Sequence, residues 1–314
     1  MSLRIAPHIQ DALRQGRPVV ALESTAITHG LPQPANLELA VSLEQEIRNG
    51  GAVPATVAVL SGKLVVGLDS HELEYLAMNN VGKASLWNLA TLLANGEDAG
   101  TTVASTLHAA TMAGISVFAT GGIGGVHDHP YDESADLHAL ARYRVITICA
   151  GPKSILDVSA TLERLESLGV PILAYRSDYL AGFYVPETPF RAPARCENPE
   201  DIARAFLHHT ELRFKSAMLV CKPVSQGLTH EEFKEYLDET LKVTETENLR
   251  GKDTTPILLN ALAEISQGHT LEVNLRLLRE NARLAARVAT SLQRLTKRDL
   301  DPVGVSYERL SSDR

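Results

Sequence analysis

The chain has little cysteine: Cys149, Cys196 and Cys221 are all there is in 314 residues. Three scattered thiols exclude a disulfide framework or a zinc site, and they read as small buried hydrophobes of a reducing compartment. A basic excess is lacking too. The net charge of -8 argues against a nucleic-acid backbone as partner, although a local pocket for a small anion need not follow the global charge. No stretch approaches the roughly 18 apolar residues of a membrane span, and the N-terminal Met-Ser-Leu-Arg-Ile-Ala-Pro carries no apolar leader. The expectation is a soluble, cytoplasmic protein with no membrane partner. No repeat or low-complexity linker divides the sequence, which predicts one α/β domain over residues 1–314 with a polar, flexible tail from about Lys297.

Two nucleotide-binding signatures are missing as well. In the glycine-rich turn Thr120-Gly-Gly-Ile-Gly-Gly-Val-His127, His127 stands where the last glycine of G-x-G-x-x-G belongs, and no acid closes the next strand. A P-loop is excluded for lack of Gly-Lys-Ser/Thr. What residues 117 to 157 do contain is two short apolar runs bounded by glycine, which read as buried parallel strands. Ligands of open α/β sheets sit at the carboxyl ends of strands, so the loops after these two runs are the candidate active site. The glycines permit close backbone approach to a sugar or its phosphate. Lys153 follows Pro152 and reads as the first turn of a helix, where the helix dipole and burial both disfavour an ammonium. A neutral amine is a nucleophile toward carbonyl carbon. Glu23 ends a first buried strand, Pro18 to Leu22, and is either a capping or ion-paired carboxylate or an acid/base. The residues alone thus point to a Schiff-base lysine served by Glu23. The oxygen-rich run Asp132-Glu133-Ser134-Ala135-Asp136 suits a hard divalent cation held through waters.

The remaining periodicity predicts helices over His8–Gln15, Asn36–Arg48, Ser159–Leu168, Pro199–His209 and Leu271–Leu295, with strands at Val170–Tyr175 and Ala217–Val220. Ser61-Gly62 between Ala55–Leu60 and Lys63–Gly67 predicts a hairpin, so the sheet is mixed, not purely parallel. Ser70 is the expected cap of a helix through Leu76, and a further helix takes in Leu86, Trp87, Leu89, Leu92 and Leu93. Gly100-Thr-Thr-Val103 opens another, its threonines serving as a plain cap or an anion site. Thr229 with Glu232 is a capping box for an acidic helix to about Leu249. Asn274 and Asn281 fall on the apolar stripe of the last helix, where each amide must bond neighbouring backbone or a ligand.

Several of these segments carry a resemblance together. Ala21-Leu-Glu-Ser-Thr25 with Thr28-His-Gly30, Gly100-Thr-Thr-Val103, Ala119-Thr-Gly-Gly-Ile-Gly-Gly-Val-His127, Ser134-Ala-Asp-Leu137, Cys149-Ala-Gly-x-Lys-Ser-Ile-Leu-Asp157 and Gly251-Lys with Thr255-Pro256 resemble the pseudouridine-5'-phosphate glycosidase family, also known as indigoidine-synthase-A-like. The resemblance runs from about Val19 to Leu295. It implies a three-layer α/β/α fold with a central mixed, largely parallel sheet, a homotrimer, and a divalent metal, manganese or magnesium. The implied reaction breaks or forms a carbon–carbon bond between C1 of ribose 5-phosphate and a planar ring. By motif, Lys153 falls on the nucleophile and Glu23 on the proton donor. Lys83, Thr102, Val103, Thr120, His127, Ser134, Ala135, Asp136 and Asn274 fall on substrate-binding positions, and Asp132 on the metal-binding carboxylate. The chain departs from the pattern at Leu86-Trp87-Asn88, where two arginines and an aspartate are usual, at Pro152 in place of alanine, and over Asp128 to Glu133. Lost cations and gained aromatics leave the acceptor open between uracil and a larger aromatic, as in relatives that C-ribosylate polyketides.

Overall fold

The computed structural model describes residues 2–127, 131–244 and 254–300. In chain order, β1 (Leu3–Ile5) and α1 (Pro7–Arg14) precede β2 (Val19–Leu22), a single turn α2 (Thr25–Thr28) and α3 (Ala35–Asn49). The hairpin of β3 (Val53–Leu60) and β4 (Lys63–Val66) leads to α4 (Ser70–Met78), β5 (Gly82–Ala84), α5 (Leu89–Asn95), β6 (Ala99–Thr101) and α6 (Val103–Ala113). Then come β7 (Val117–Ala119), α7 (Ala135–Arg142), β8 (Ile146–Cys149), α8 (Val158–Ser167), β9 (Ile172–Tyr175) and β10 (Ala194–Cys196). The chain continues through α9 (Pro199–Glu211), β11 (Met218–Cys221), α10 (His230–Thr244), α11 (Thr254–Ile265) and α12 (His269–Leu300).

The strands form one sheet in the order β1-β4-β3-β2-β7-β8-β11-β9-β10, with β6 paired to β3 and β5 to β6. Every pairing is parallel except β3 with β4 and β3 with β6. Strand side chains alternate between faces, and here both faces are buried. Val19 and Ala21 of β2 belong to the core cluster that α1, α5, α6 and α7 cover, whereas Val20 and Leu22 belong to the cluster under α3, α9 and α12. This two-sided burial makes the three-layer α/β/α fold and explains why the central strands read as unbroken apolar runs. All three cysteines are buried and free. Among the described residues no helix is long and apolar enough to cross a membrane.

Most expected elements are present within a residue or two, and the Thr229 box forms, with Glu232 N donating to Thr229 Oγ1 at 3.1 Å and Thr229 N to Glu232 Oε2 at 2.8 Å. Four expectations change. Gly100 and Thr101 belong to β6, paired with β3, so the helix starts at Val103 under the Thr102 cap. Asp69, not Ser70, caps α4, because its carboxylate accepts from Glu72 N while Glu72 reaches back. Residues 86–88 form a turn ahead of α5, and Asn88 Oδ1 accepts from Ser85 N at 2.8 Å. The helix after Lys153 begins at Val158, so Lys153 lies in a loop. Proline and lysine there extend the sheet side: Pro152 bridges to Ile123, and Lys153 N donates to Ile123 O at 3.1 Å. The dipole argument for Lys153 therefore falls. The Gly251-Lys252 motif, residues 128–130, the end of the acidic helix near Leu249 and the tail beyond 300 lie outside the described residues.

A half-hidden ion pair joins α12 to the end of β11. Lys222 Nζ lies 2.5 Å from Glu280 Oε2, which also accepts from Ser225 N at 3.2 Å. Burial alone would raise the Glu280 carboxyl, but Lys222 and Ser225 hold it below the ordinary glutamate range. A depressed carboxylate stabilises fully above its unfolded value, roughly 4.3, and that contribution is lost as pH falls through the folded value. Glu280→Gln is expected to cost about 1–3 kcal/mol at pH 7. Denaturant titrations of variant and parent should converge as pH is lowered; a gap independent of pH contradicts the assignment.

Candidate active site

Three adjacent strands, β2, β7 and β8, deliver the chemistry at their carboxyl ends. Glu23 follows β2 directly, the glycine turn follows β7, and Ala150 to Lys153 follow β8. The last two loops are laced to each other: Ala150 N donates to Gly121 O at 2.8 Å and Ile123 N to Gly151 O at 3.2 Å. Two glycines are required by this lacing. Gly151 has φ +92°, and a Cβ there would meet Ala181 O at 2.1 Å. A Cβ on Gly124 would meet Ser134 Oγ at 2.3 Å. The close approach that the glycines permit is thus first of all to the protein's own chain.

A cavity of about 320 Å³ opens over these loops. Its walls hold Glu23, Lys83, Thr102, Val103, His127, Asp132, Ser134, Ala135, Asp136 and Lys153. A second cavity of about 60 Å³ adjoins it, walled by Asn274 with Leu31, Gly121, Phe183, Leu259 and Leu278. The two share Glu23, Thr25 and Lys153. Lys83 and Asn274 therefore lie on opposite sides of the Glu23–Lys153 junction. The structure brings together every residue that the motifs assign to the site except Thr120, which is 1% exposed and sits beneath, its hydroxyl donating to Glu23 Oε1.

The electrostatics follow from this packing. Burial raises the Glu23 carboxyl above the ordinary range; Lys153 and the Thr120 hydroxyl draw it back, Asp136 raises it further, and Lys83 lowers it. Asp136 is a strut as well as a charge: Oδ1 accepts from Ala104 N at 3.0 Å and Oδ2 from Gly124 N at 2.9 Å. It so ties the first turn of α6 to the glycine turn. Ser134 caps α7, its hydroxyl accepting from Asp136 N at 3.2 Å. Glu133 is paired with Arg164 at 3.0 Å. Among the described residues no group of three or more His, Cys, Asp or Glu side chains gathers as for a metal cage. Asp132 lines the cavity with a carboxylate. One carboxylate fits a hard cation that keeps most of its waters, not a closed protein site.

The sequence left other wall residues unassigned. Thr25 stands in a quoted motif without a role, and Ser85 belongs to the family's Lys-x-Ser motif without one. Phe183, at φ +62°, reaches the small cavity because its N donates to Ala150 O at 2.8 Å, a long-range contact no local pattern reveals. Trp87, weighed as a platform for a flat ring, lines only the large cavity, on the Lys83 side.

Comparison with known proteins gives a consistent set of matches. Residues 8–291 match the family model described as indigoidine synthase A like protein. The pseudouridine-5'-phosphate glycosidase of Thermus thermophilus is 54% identical over 275 residues, 88% of this chain and 98% of that protein. The crystal structure of an indigoidine synthase A-like protein from Thermotoga maritima has TM-score 0.85 and 33% identity, covering 93% of this chain and 96% of that one. That of the prealnumycin C-glycosynthase AlnA, in complex with ribulose 5-phosphate, has TM-score 0.86 and 35% identity, covering 94% and 98%.

The raised carboxyl of Glu23 has a consequence for stability. Above the ordinary glutamate value the unfolded chain ionises while the folded one resists, so stability declines as pH rises from there through the folded value. Glu23→Gln removes that penalty. Its melting temperature should match the parent near pH 4 and exceed it at pH 7; a variant less stable than the parent at pH 7 contradicts the reading.

Proposed function

Because the chain belongs to the indigoidine synthase A like family, we propose that it breaks and forms the carbon–carbon bond between C1 of ribose 5-phosphate and a planar ring. The substrate we assign is pseudouridine 5'-phosphate. The observation that carries this reading is the Glu23–Lys153 pair at the junction of two cavities, with Lys83 on one side and Asn274 on the other. A sugar phosphate fits that order: phosphate toward Lys83, C1 at Lys153, ring toward Asn274. Lys83 neutralises the phosphate as a point charge.

A C-glycoside has no leaving heteroatom to protonate, so the two-carboxylate scheme of ordinary glycosidases does not serve. In the cleavage direction Glu23 gives its proton to the ribose ring oxygen as that ring opens, and the Lys153 amine bonds to C1. The bond from C1 to the base carbon then breaks. The Glu23 carboxylate takes a proton from the new ammonium on C1 and passes it to the base carbon, which keeps the electron pair of the broken bond, while the freed lysine nitrogen lone pair forms the iminium with C1. Water adds to the iminium, restoring the amine and releasing ribose 5-phosphate. Burial keeps Glu23 protonated to higher pH than an exposed carboxyl, which suits a donor. Asp132 would hold a divalent cation, manganese or magnesium, through waters; when bound it supplies positive charge against the phosphate. The family resemblance supports a homotrimer, and the three free, buried cysteines suit a reducing compartment such as the cytoplasm.

Synthesis onto a larger aromatic acceptor is the second reading, favoured by the likeness to AlnA at TM-score 0.86. The 54% identity to a glycosidase and the small cavity of about 60 Å³ on the Asn274 side favour a single ring. With pseudouridine 5'-phosphate and manganese, chromatography should show uracil and ribose 5-phosphate in equal amounts. Lys153→Ala should abolish turnover, and Glu23→Gln should lower kcat by about 10²–10⁴-fold. A chelator should suppress activity and added manganese restore it. Product only from polycyclic phenols or quinones with ribose 5-phosphate would replace the first reading with the second.

A further inference from the structure

We propose that Asn281, on the core face of α12, is a positioning residue for the proton donor, clamping the Thr120–Gly121 backbone so that the Thr120 hydroxyl is aimed at Glu23. The catalytic meaning of this clamp rests on the proposed function; its geometry does not. The neighbours of Asn281 on the helix, Leu277, Leu278, Ala282, Leu284 and Ala285, are all buried and apolar, and an amide at 1% exposure breaks that stripe. Its Nδ2 donates to Thr120 O at 2.9 Å and to Gly121 O at 3.3 Å. Both partners are carbonyl oxygens, which fixes the orientation of the amide, because the reverse would set Oδ1 against them. Oδ1 is then buried with no partner among the described residues. A side chain kept for packing alone would not retain an unmet acceptor in a core.

Of the two carbonyls, only Thr120 O depends on the amide for its described partner. Gly121 O already receives Ala150 N at 2.8 Å. What Asn281 adds is a grip on two successive peptide planes, at the point where β7 ends and the active-site turn begins. The need for that grip is visible in Thr120. Its hydroxyl has one proton and two acceptors in reach, Glu23 Oε1 and, at 3.4 Å, Gly122 O. A small rotation of the turn redirects the proton from the carboxylate to the carbonyl. The hydrogen bond to Glu23 favours the ionised carboxylate, so its strength sets how readily Glu23 releases and recovers a proton. The charged groups facing Glu23 are Lys153 from the loop after β8, Asp136 from α7 and Lys83 from β5. α12 thus acts on Glu23 through Thr120.

The test is a double-mutant cycle with two readouts, kinetics on pseudouridine 5'-phosphate and the titration of the Glu23 carboxyl by carbon-13 NMR, assigned with Glu23→Gln. Asn281→Leu and Thr120→Val should each lower kcat about 10- to 100-fold, the scale of a misplaced catalytic group, with KM changed by no more than about twofold. The double variant should be no slower than Thr120→Val alone. Thr120→Ser, which keeps the hydroxyl, should restore most activity. The Glu23 midpoint should move to higher pH in both single variants. Asn281→Ala provides the same readings if the leucine does not fold. Multiplicative loss in the double variant overturns the proposal. So does an unmoved Glu23 midpoint in a folded Asn281 variant, whatever the activity. A moved midpoint in a protein whose parent shows no turnover upholds the clamp and overturns the proposed function instead.

Discussion

A half-buried carboxyl group beside an amine, on the wall shared by two cavities, is the constraint from which the rest of this molecule can be understood. Glu23 sits where β2 ends, between the loops that follow β7 and β8 on one side and the walls supplied by β5 and α7 on the other. Burial opposes its ionised form, while Lys153, the Thr120 hydroxyl and Lys83 favour it. That balance holds only if the surrounding backbone is fixed, because each of those influences falls off over a few ångströms. The fold supplies the fixing. Its central strands are covered on both faces by apolar helices, which leaves the carboxyl edge as the place where polar groups converge.

The loops at that edge are held by the protein's own polar groups. Asp136 spends both oxygens on backbone N–H groups of α6 and the glycine turn, and Asn281 spends its two donors on the same turn from the opposite layer. The turn is therefore gripped from both sides of the sheet. Gly151 and Gly124 are the positions at which a side chain would break this lacing. Rigidity here comes at some expense of stability, since a half-buried carboxyl with a raised pKa and an unmet amide oxygen in the core are both unfavourable.

How much of this could be read from residue order follows from what is local. Long amphipathic helices such as α3 and α12, the β3–β4 hairpin and the Thr229 capping box are written in spacing, and they are where expected. So are the strand ends bearing Glu23 and Lys153, because buried apolar runs bounded by glycine are recognisable without partners. Some three-residue strands are not. β6 and β10 have no period to detect and exist through pairing with β3 and β9. Lys153 shows the same limit. A proline before a lysine reads as a helix start, but Pro152 is bridged to Ile123 and residues 154–155 make a turn, Leu156 N donating to Lys153 O at 3.1 Å, before Asp157 caps α8. The ring-sized cavity also escaped, since Phe183 and Leu278 reach it from distant parts of the chain. Thr120 was legible as a site residue but not as the hydrogen-bond donor to Glu23, which depends on two strands lying side by side.

The proposed mechanism requires Lys153 to form a covalent bond with the sugar. The direct measurement is to incubate the protein with ribose 5-phosphate, reduce with borohydride, and weigh the intact chain. One reduced pentose phosphate should be added, mapping to the peptide that carries Lys153, and the addition should be absent in Lys153→Ala. No mass gain in the parent, or a gain that persists in Lys153→Ala, would contradict the account.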